Sequence, residues 1–91
     1  MYTKTVVIKN KTGLHARPAG QFVSCAKGFR SKITVRKAGE TEGVSAKSIM
    51  SVLLKGLSKD CRIEITAEGE DEEQAVDQLA ALIDSGFGEE E

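Results

Sequence analysis

A chain of 91 residues is long enough for one folded domain and too short for two. With 40% hydrophobic and 30% charged residues it has the composition of an ordinary soluble globule, which can fold without metal or disulfides. A net charge of -1, with only three Phe and one Tyr, argues against a nucleic-acid partner, which calls for excess Lys and Arg or stacking rings.

The sequence carries no metal or cofactor motif. Cys25 and Cys61 form no Cys-x-x-Cys pair, and one histidine cannot complete a metal ligand set. Two thiols in a reducing compartment are favoured over an extracellular disulfide, and neither cysteine is assigned a role. The sequence shows no leader-like segment and no apolar run near ~18 residues, so we expect a cytoplasmic protein that is not inserted into a membrane.

The first third of the chain predicts a strand, a loop and a helix. Residues 2–9 alternate in polarity, with Val6 and Ile8 on one face. A loop over residues 10–14 follows, with Gly13 as its turn residue. Apolar residues then recur at helical spacing, which predicts a helix of about three turns ending at Gly28. The residues expected to face inward from this helix are Ala16, Ala19, Phe22 or Val23, and Ala26.

The middle of the chain predicts a hairpin followed by a short helix. Residues 31–37 alternate as a strand, residues 38–40 form a turn, and residues 40–45 return as a weaker strand. Residues 47–54 form a short apolar helix, which ends at Gly56.

The last third contains the clearest strand and the clearest helix. Residues 61–67 alternate between apolar and polar, as is typical of a half-buried strand. Residues 71–85 form a helix that opens with acidic residues, which suit the positive end of the helix dipole, and Gly86 and Gly88 end it. The inward stripe of this helix is predicted to be Ala75, Val76, Leu79, Leu82 and Ile83.

The predicted element order is β-α-β-β-α-β-α. Strands with one apolar face and helices with one apolar stripe can cover each other. We therefore expect an α+β fold, a two-layer open-faced sandwich in which helices cover one face of a four-stranded antiparallel sheet. Residues 1–88 are expected to form a single domain, and residues 89–91 a short acidic tail in solvent.

The single histidine lies in the run Gly-Leu-His-Ala-Arg-Pro-Ala at residues 13–19. Pro18 falls in the first helical turn, where its missing N–H costs nothing, so His15 stands at a helix N-terminus. Free N–H groups and the helix dipole attract anions there, and Arg17 adds a guanidinium suited to phosphate oxygens. On these residues alone, phosphoryl chemistry at His15 and an ordinary surface or capping histidine remain open alternatives.

No second catalytic group accompanies His15 in the sequence. We find no Ser-His-Asp set, no Walker-type glycine loop and no motif of paired carboxylates. A lone nucleophile is better suited to carrying a group than to turning over a substrate. The sequence therefore favours a stoichiometric carrier over an enzyme.

The run at residues 13–19 closely resembles the phosphorylation-site signature of HPr, the histidine-containing phosphocarrier of the bacterial phosphoenolpyruvate-dependent sugar phosphotransferase system. The segment Ala-Lys-Ser-Ile-Met at residues 46–50 is similar to the regulatory serine segment of that family. The resemblance covers about residues 2–85. It implies that enzyme I phosphorylates His15, which then passes the phosphoryl group to sugar-specific transport components. It also implies that Arg17 and the backbone N–H groups of Ala16 and Arg17 hold the phosphoryl oxygens.

The resemblance further implies regulatory phosphorylation of Ser48 by an HPr kinase, with a catabolite-control repressor as a further partner. From the residues alone, either Ser48 or Ser45 serves equally well as a helix cap. Three apolar residues after Ser48 are candidates for a partner-docking surface, with core packing as the open alternative: Ile49, Met50 and Leu53. A relay that presents His15 to successive partners is expected to work as a monomer.

The sequence departs from the family pattern at two places, and it leaves two other functions open. The serine segment lies two residues later than usual, which we attribute to a longer turn at residues 38–43, and Gly20 and Gln21 occupy positions where other residues are common. One alternative is a regulatory module switched at Ser48 with His15 idle. The other, an RNA-binding α+β domain, is disfavoured by charge and by the few aromatic residues.

Overall fold

Four strands and three helices follow one another along the chain in the order predicted from the sequence. The computed structural model describes residues 1–88, and the expected acidic tail at residues 89–91 lies outside that range. In chain order the elements are β1 (Tyr2–Val7), α1 (Ala16–Lys27), β2 (Lys32–Lys37), β3 (Val44–Ser45), α2 (Ile49–Lys55), β4 (Arg62–Glu68), α3 (Glu72–Asp84) and a final single turn at Gly86–Gly88.

The strands form one antiparallel sheet in the spatial order β1-β4-β2-β3. In the central pairs Val6 lies opposite Ile63, and Val35 lies opposite Ile65, so the apolar side chains of adjacent strands share one face. Strand β4 lies between β1 and β2, so α1 connects β1 to β2 across it, and α2 connects the edge strand β3 back to the central β4. This arrangement confirms the predicted open-faced sandwich.

One hydrophobic core lies between the sheet and the helices. Its fully buried members come from both the sheet and the helices. The largest are Phe22, Ile8, Ile33, Ile63, Ile65, Leu79 and Ile83. The opposite face of the sheet carries polar side chains, as in the hydrogen bond between the hydroxyls of Thr3 and Thr66 (2.9 Å) and the ion pair of Arg36 with Glu64. Burial on one face only is what the alternating strands predict.

The predicted return strand at residues 40–45 is wrong in its length, because only Val44–Ser45 pairs with β2. The carboxylate of Glu40 accepts a hydrogen bond from the Lys37 N–H (3.1 Å) and pairs with Lys55 Nζ at 2.6 Å. These contacts turn the longer loop toward the end of α2 and away from a strand ladder.

One further boundary and the burial of two side chains differ from expectation. Helix α2 begins at Ile49, after the expected start at Lys47, because the Ser45 hydroxyl accepts a hydrogen bond from the Lys47 N–H (3.2 Å) and holds this segment in a turn. Ala16 is exposed because it lies in the first turn of α1, at the edge of the helix layer. Leu82 is only half-buried at the margin of the core.

Within residues 1–88, no helix has the length and apolar character needed to cross a membrane. Across the same residues, no three or more His, Cys, Asp and Glu side chains are grouped so that they could hold a metal ion.

Candidate phosphoryl-binding site at the start of helix α1

His15 is the N-cap residue of α1 and is exposed. Its backbone is extended (φ -111°, ψ 171°), and its side chain makes no capping hydrogen bond to the helix. An N-cap side chain ordinarily satisfies a backbone donor of the first turn. Because the imidazole leaves those donors unused, its ring faces outward and is accessible to a second molecule.

The first turn of α1 presents backbone N–H groups beside the His15 ring. The earliest intrahelical bond runs from the N–H of Ala19 to the carbonyl oxygen of His15 (2.9 Å). Pro18 has no N–H, so the N–H groups of Ala16 and Arg17 stand ahead of the hydrogen-bonded part of the helix. Free N–H groups and the positive end of the helix dipole are chemically suited to an anion at this helix start.

Arg17 places a cation at the same helix start. Its side chain is exposed and makes no ion pair with any other residue in the 1–88 range. It stands at one end of an open groove of about 890 Å³ between α1 and α3. The other residues that line this groove are Gly20, Gln21, Ser24, Cys25, Gln78, Ala81 and Leu82. A planar guanidinium without an internal carboxylate partner is free to bind the oxygens of a phosphoryl group.

The two cysteines are free thiols on the margin of the fold. Cys25 and Cys61 are both half-buried. Burial raises the pKa of the Cys25 thiol, which disfavours the thiolate needed for a nucleophile. The neutral thiol is therefore the favoured form of Cys25 in the groove beside Arg17.

The loop before His15 is held by the segment that follows α2. The N–H of Leu14 donates to the carbonyl oxygen of Leu57 (2.7 Å), and both side chains are buried. Gly13 has φ +66°, and a Cβ added there would lie 2.5 Å from the Leu57 carbonyl oxygen. The buried side chain of Asn10 closes the loop by donating to the Gly13 carbonyl oxygen (2.8 Å). The sequence indicated Gly13 as a turn residue, but the contact with Leu57 had no sequence signal.

Ser48 is the N-cap residue of α2 and does not contact His15. Its hydroxyl oxygen accepts a hydrogen bond from the N–H of Ser51 (3.3 Å), whereas Ser45 bonds within the preceding turn. Between the two sequence candidates, Ser48 is therefore the cap of this helix. The structure groups His15, Ala16 and Arg17 at one helix start and places Ser48 at another.

Helix α2 leaves one apolar face uncovered. Ile49 and Leu53 are about two-fifths exposed, at 42% and 39%, and Met50 is 63% exposed. Val52 is the buried residue of this helix, whereas these three side chains keep a large exposed fraction. Leu54, which the sequence did not single out, is 79% exposed and extends the same surface. We call Ile49, Met50, Leu53 and Leu54 the α2 apolar face.

Comparison with known proteins decides the family. The family profile described as PTS HPr component phosphorylation site matches residues 2–85. The chain belongs to the HPr family. The phosphocarrier protein HPr of Haemophilus influenzae is 48% identical over 83 residues, which are 91% of this chain and 95% of that protein. The crystal structure of HPr-C-His from Thermoanaerobacter tengcongensis has 49% identity, a TM-score of 0.94 and coverage of 100% of both chains.

HPr sequences also occur within much longer proteins. The multiphosphoryl transfer protein of Haemophilus influenzae is 44% identical over 86 residues. That match covers 93% of this chain but only 17% of the relative, so the chain spans less than a fifth of the length of that protein.

Proposed function

We propose that this chain is a phosphoryl carrier of the phosphotransferase system and that His15 bears the phosphoryl group. The observation that carries the proposal is the exposed His15 ring beside the N–H groups of Ala16 and Arg17, ahead of the first intrahelical bond. Membership of the HPr family supports the same reading. Arg17, which has no ion-pair partner within the described part of the chain, neutralises the phosphoryl oxygens.

Both transfers exchange one bond to phosphorus for another. In the first, a ring nitrogen of His15 attacks the phosphorus carried by phosphorylated enzyme I, and the bond between phosphorus and enzyme I breaks as the bond to His15 forms. In the second, a cysteine or histidine of a sugar-specific component attacks the phosphorus, and the imidazole of His15 leaves. Each molecule accepts one phosphoryl group and is itself the phosphoryl donor in the next transfer, so it acts as a stoichiometric carrier and not as an enzyme.

The α2 apolar face is proposed as the surface on which these partners dock. Exposed side chains that form a contiguous apolar surface on a small domain commonly mark an interaction site, and a flexible Met suits a surface that meets several partners. Helix α2 packs beside α1, so a partner on this face has access to the start of α1.

Phosphorylation of Ser48 is proposed to regulate this docking. The Ser48 hydroxyl is half-buried and directly precedes the α2 apolar face. A phosphate there adds about −1.5 to −2 charges next to apolar side chains, which weakens the burial of this face against a partner. Phosphorylation of Ser48 requires an HPr kinase. A catabolite-control repressor is the proposed partner that binds the phosphorylated form.

We further propose that the carrier works in the cytoplasm. We also propose that it works as a monomer, since successive partners must reach the same exposed His15.

Sugar uptake in cells that lack their own HPr tests the proposed function. The wild-type chain is expected to restore uptake, and the His15→Ala variant is expected to fail at equal expression. Uptake supported by His15→Ala would overturn the relay and favour a regulatory module that acts through Ser48. Lys27→Ala, which changes an exposed residue at the other end of α1, is the matched control and is expected to restore uptake.

A further inference from the structure

The peptide unit between Gly13 and Leu14, one residue ahead of His15, is fixed by a contact between two loops. The Leu14 N–H donates to the Leu57 carbonyl oxygen over 2.7 Å, which is at the short end of the range for such bonds. Leu14 is 3% exposed and Leu57 is 2% exposed, so water does not compete for this bond. Only one residue separates this bond from the first turn of α1.

Gly13 permits this contact and no other residue type fits there. Its φ of +66° is in the left-handed region, and a Cβ would lie 2.5 Å from the Leu57 carbonyl oxygen and 2.7 Å from Ser58 Cα. These neighbours are backbone atoms, which cannot rotate away from a Cβ as a flexible side chain could. The Asn10 side chain fixes the other side of the same peptide unit by donating to the Gly13 carbonyl oxygen (2.8 Å).

Leu57 is in turn fixed by the end of α2. Gly56 closes that helix in the left-handed conformation (φ 65°, ψ 47°) and donates its N–H to the Leu53 carbonyl oxygen (3.2 Å). The α2 apolar face and the peptide unit before His15 are therefore connected through two consecutive residues, Gly56 and Leu57.

We propose that Leu57, through its carbonyl oxygen, is a positioning residue for His15. It fixes the plane of the peptide between Gly13 and Leu14, one residue ahead of His15, and so it sets where the imidazole stands relative to a partner docked on α2. The inference rests on the proposed phosphoryl-carrier function. Since a phosphoryl transfer demands alignment of the attacking nitrogen with phosphorus, loss of the bond lowers the rate of transfer within the docked complex and leaves docking itself intact.

A backbone ester tests this without changing any side chain. A synthetic segment of residues 1–24 can be joined to residues 25–91 at Cys25 by chemical ligation, which yields the full chain. An ester in place of the peptide bond between residues 13 and 14 removes the Leu14 N–H. The matched control is an ester between residues 7 and 8, which removes the bond from the Ile8 N–H to the Cys61 carbonyl oxygen (3.0 Å). This design is milder than Gly13→Ala, whose clash with backbone endangers folding.

The readout is the kcat and KM for phosphorylation of each chain by enzyme I with phosphoenolpyruvate, together with thermal unfolding. We expect both esters to lower the unfolding midpoint by similar amounts. Only the ester at Leu14 is expected to lower kcat, by about tenfold, with KM within about twofold of the unmodified ligated chain.

Equal kcat values for the two esters would overturn the positioning role while leaving the carrier function standing. A raised KM with unchanged kcat for the Leu14 ester would also overturn it, because the bond would then serve docking. Absence of phosphorylation in the unmodified ligated chain would instead contradict the proposed function itself, and the positioning role with it.

Discussion

The Ser31 hydroxyl donates a hydrogen bond to Asp71 Oδ1, which links the turn after α1 to the start of α3. The same carboxylate accepts the backbone N–H groups of Ser31 (3.0 Å) and Arg30 (2.9 Å). Asp71 is the N-cap residue of α3, yet its side chain caps no N–H of its own helix. The carboxylate thus serves to fasten two segments far apart in sequence.

Because of this contact, the stability of the fold depends on the pH. The pKa of Asp71 is lowered from 3.8 to about 2, first by the Ser31 hydroxyl and then by the Arg30 N–H. Because the pKa is lower in the folded state, the carboxylate stabilises the fold above pH ~4, and this stabilisation is lost as the pH falls toward about 2.

Asp71→Asn is therefore expected to lower the urea midpoint at pH 7 and to change it little near pH 2. Asp84→Asn is the control, since within residues 1–88 Asp84 forms only an exposed pair with Lys9 at 3.6 Å. An equal loss for Asp71→Asn at both pH values would contradict the role assigned to the charge.

Arg17→Ala is expected to slow phosphorylation of His15 by roughly 10²-fold, because a charged donor to the transferring group is lost. The free energy of unfolding should change by less than about 0.5 kcal/mol, since Arg17 is exposed and has no ion-pair partner among residues 1–88. Quench-flow with phosphorylated enzyme I measures the rate. Lys27→Ala, at the other end of α1, is expected to react at nearly the wild-type rate, and an equally large loss there would show that only net charge matters.

Ser48→Ala is expected to cost about 1 kcal/mol of folding stability, because the N-cap bond to the Ser51 N–H is lost from a short helix. Urea denaturation followed by circular dichroism measures the change. Ser48→Thr should retain most of the stability. Ser45→Ala removes a bond in the preceding turn and is expected to cost less, so a larger effect at Ser45 would reverse the assignment of the cap.

The double variant Met50→Gln, Leu54→Gln is expected to raise the KM for phosphorylation by enzyme I about tenfold, with kcat little changed. Both side chains are mostly exposed, so stability should change by less than about 0.5 kcal/mol. Ala38→Gln, an exposed change in the hairpin turn, controls for the added amides. An unchanged KM in the double variant would remove the α2 apolar face from the docking surface.

The element order and the buried face of each strand could be predicted because local periodicity reports them directly. Residues 61–67 alternate so regularly that β4 lies within one residue of its predicted bounds. The return strand was predicted too long because the contact between Glu40 and Lys55, which turns the loop away, joins residues that are distant in sequence.

The candidate site could likewise be predicted only in part from the sequence. The run at residues 13–19 predicted a histidine at a helix start, and the structure places His15 there. The bond from Leu14 to Leu57 and the exposure of Leu54 depend on how α2 packs against its neighbours. Apolar residues in a short helix have the same pattern whether they face the core or solvent, so only tertiary structure separates the two cases.

Intact mass spectrometry shows whether His15 carries the phosphoryl group. The wild-type chain and His15→Ala are incubated in parallel with enzyme I and phosphoenolpyruvate. We expect one added phosphate on the wild type, lost in acid and stable in base, and none on His15→Ala. An equal phosphate on both chains, or none on the wild type with active enzyme I, would contradict it.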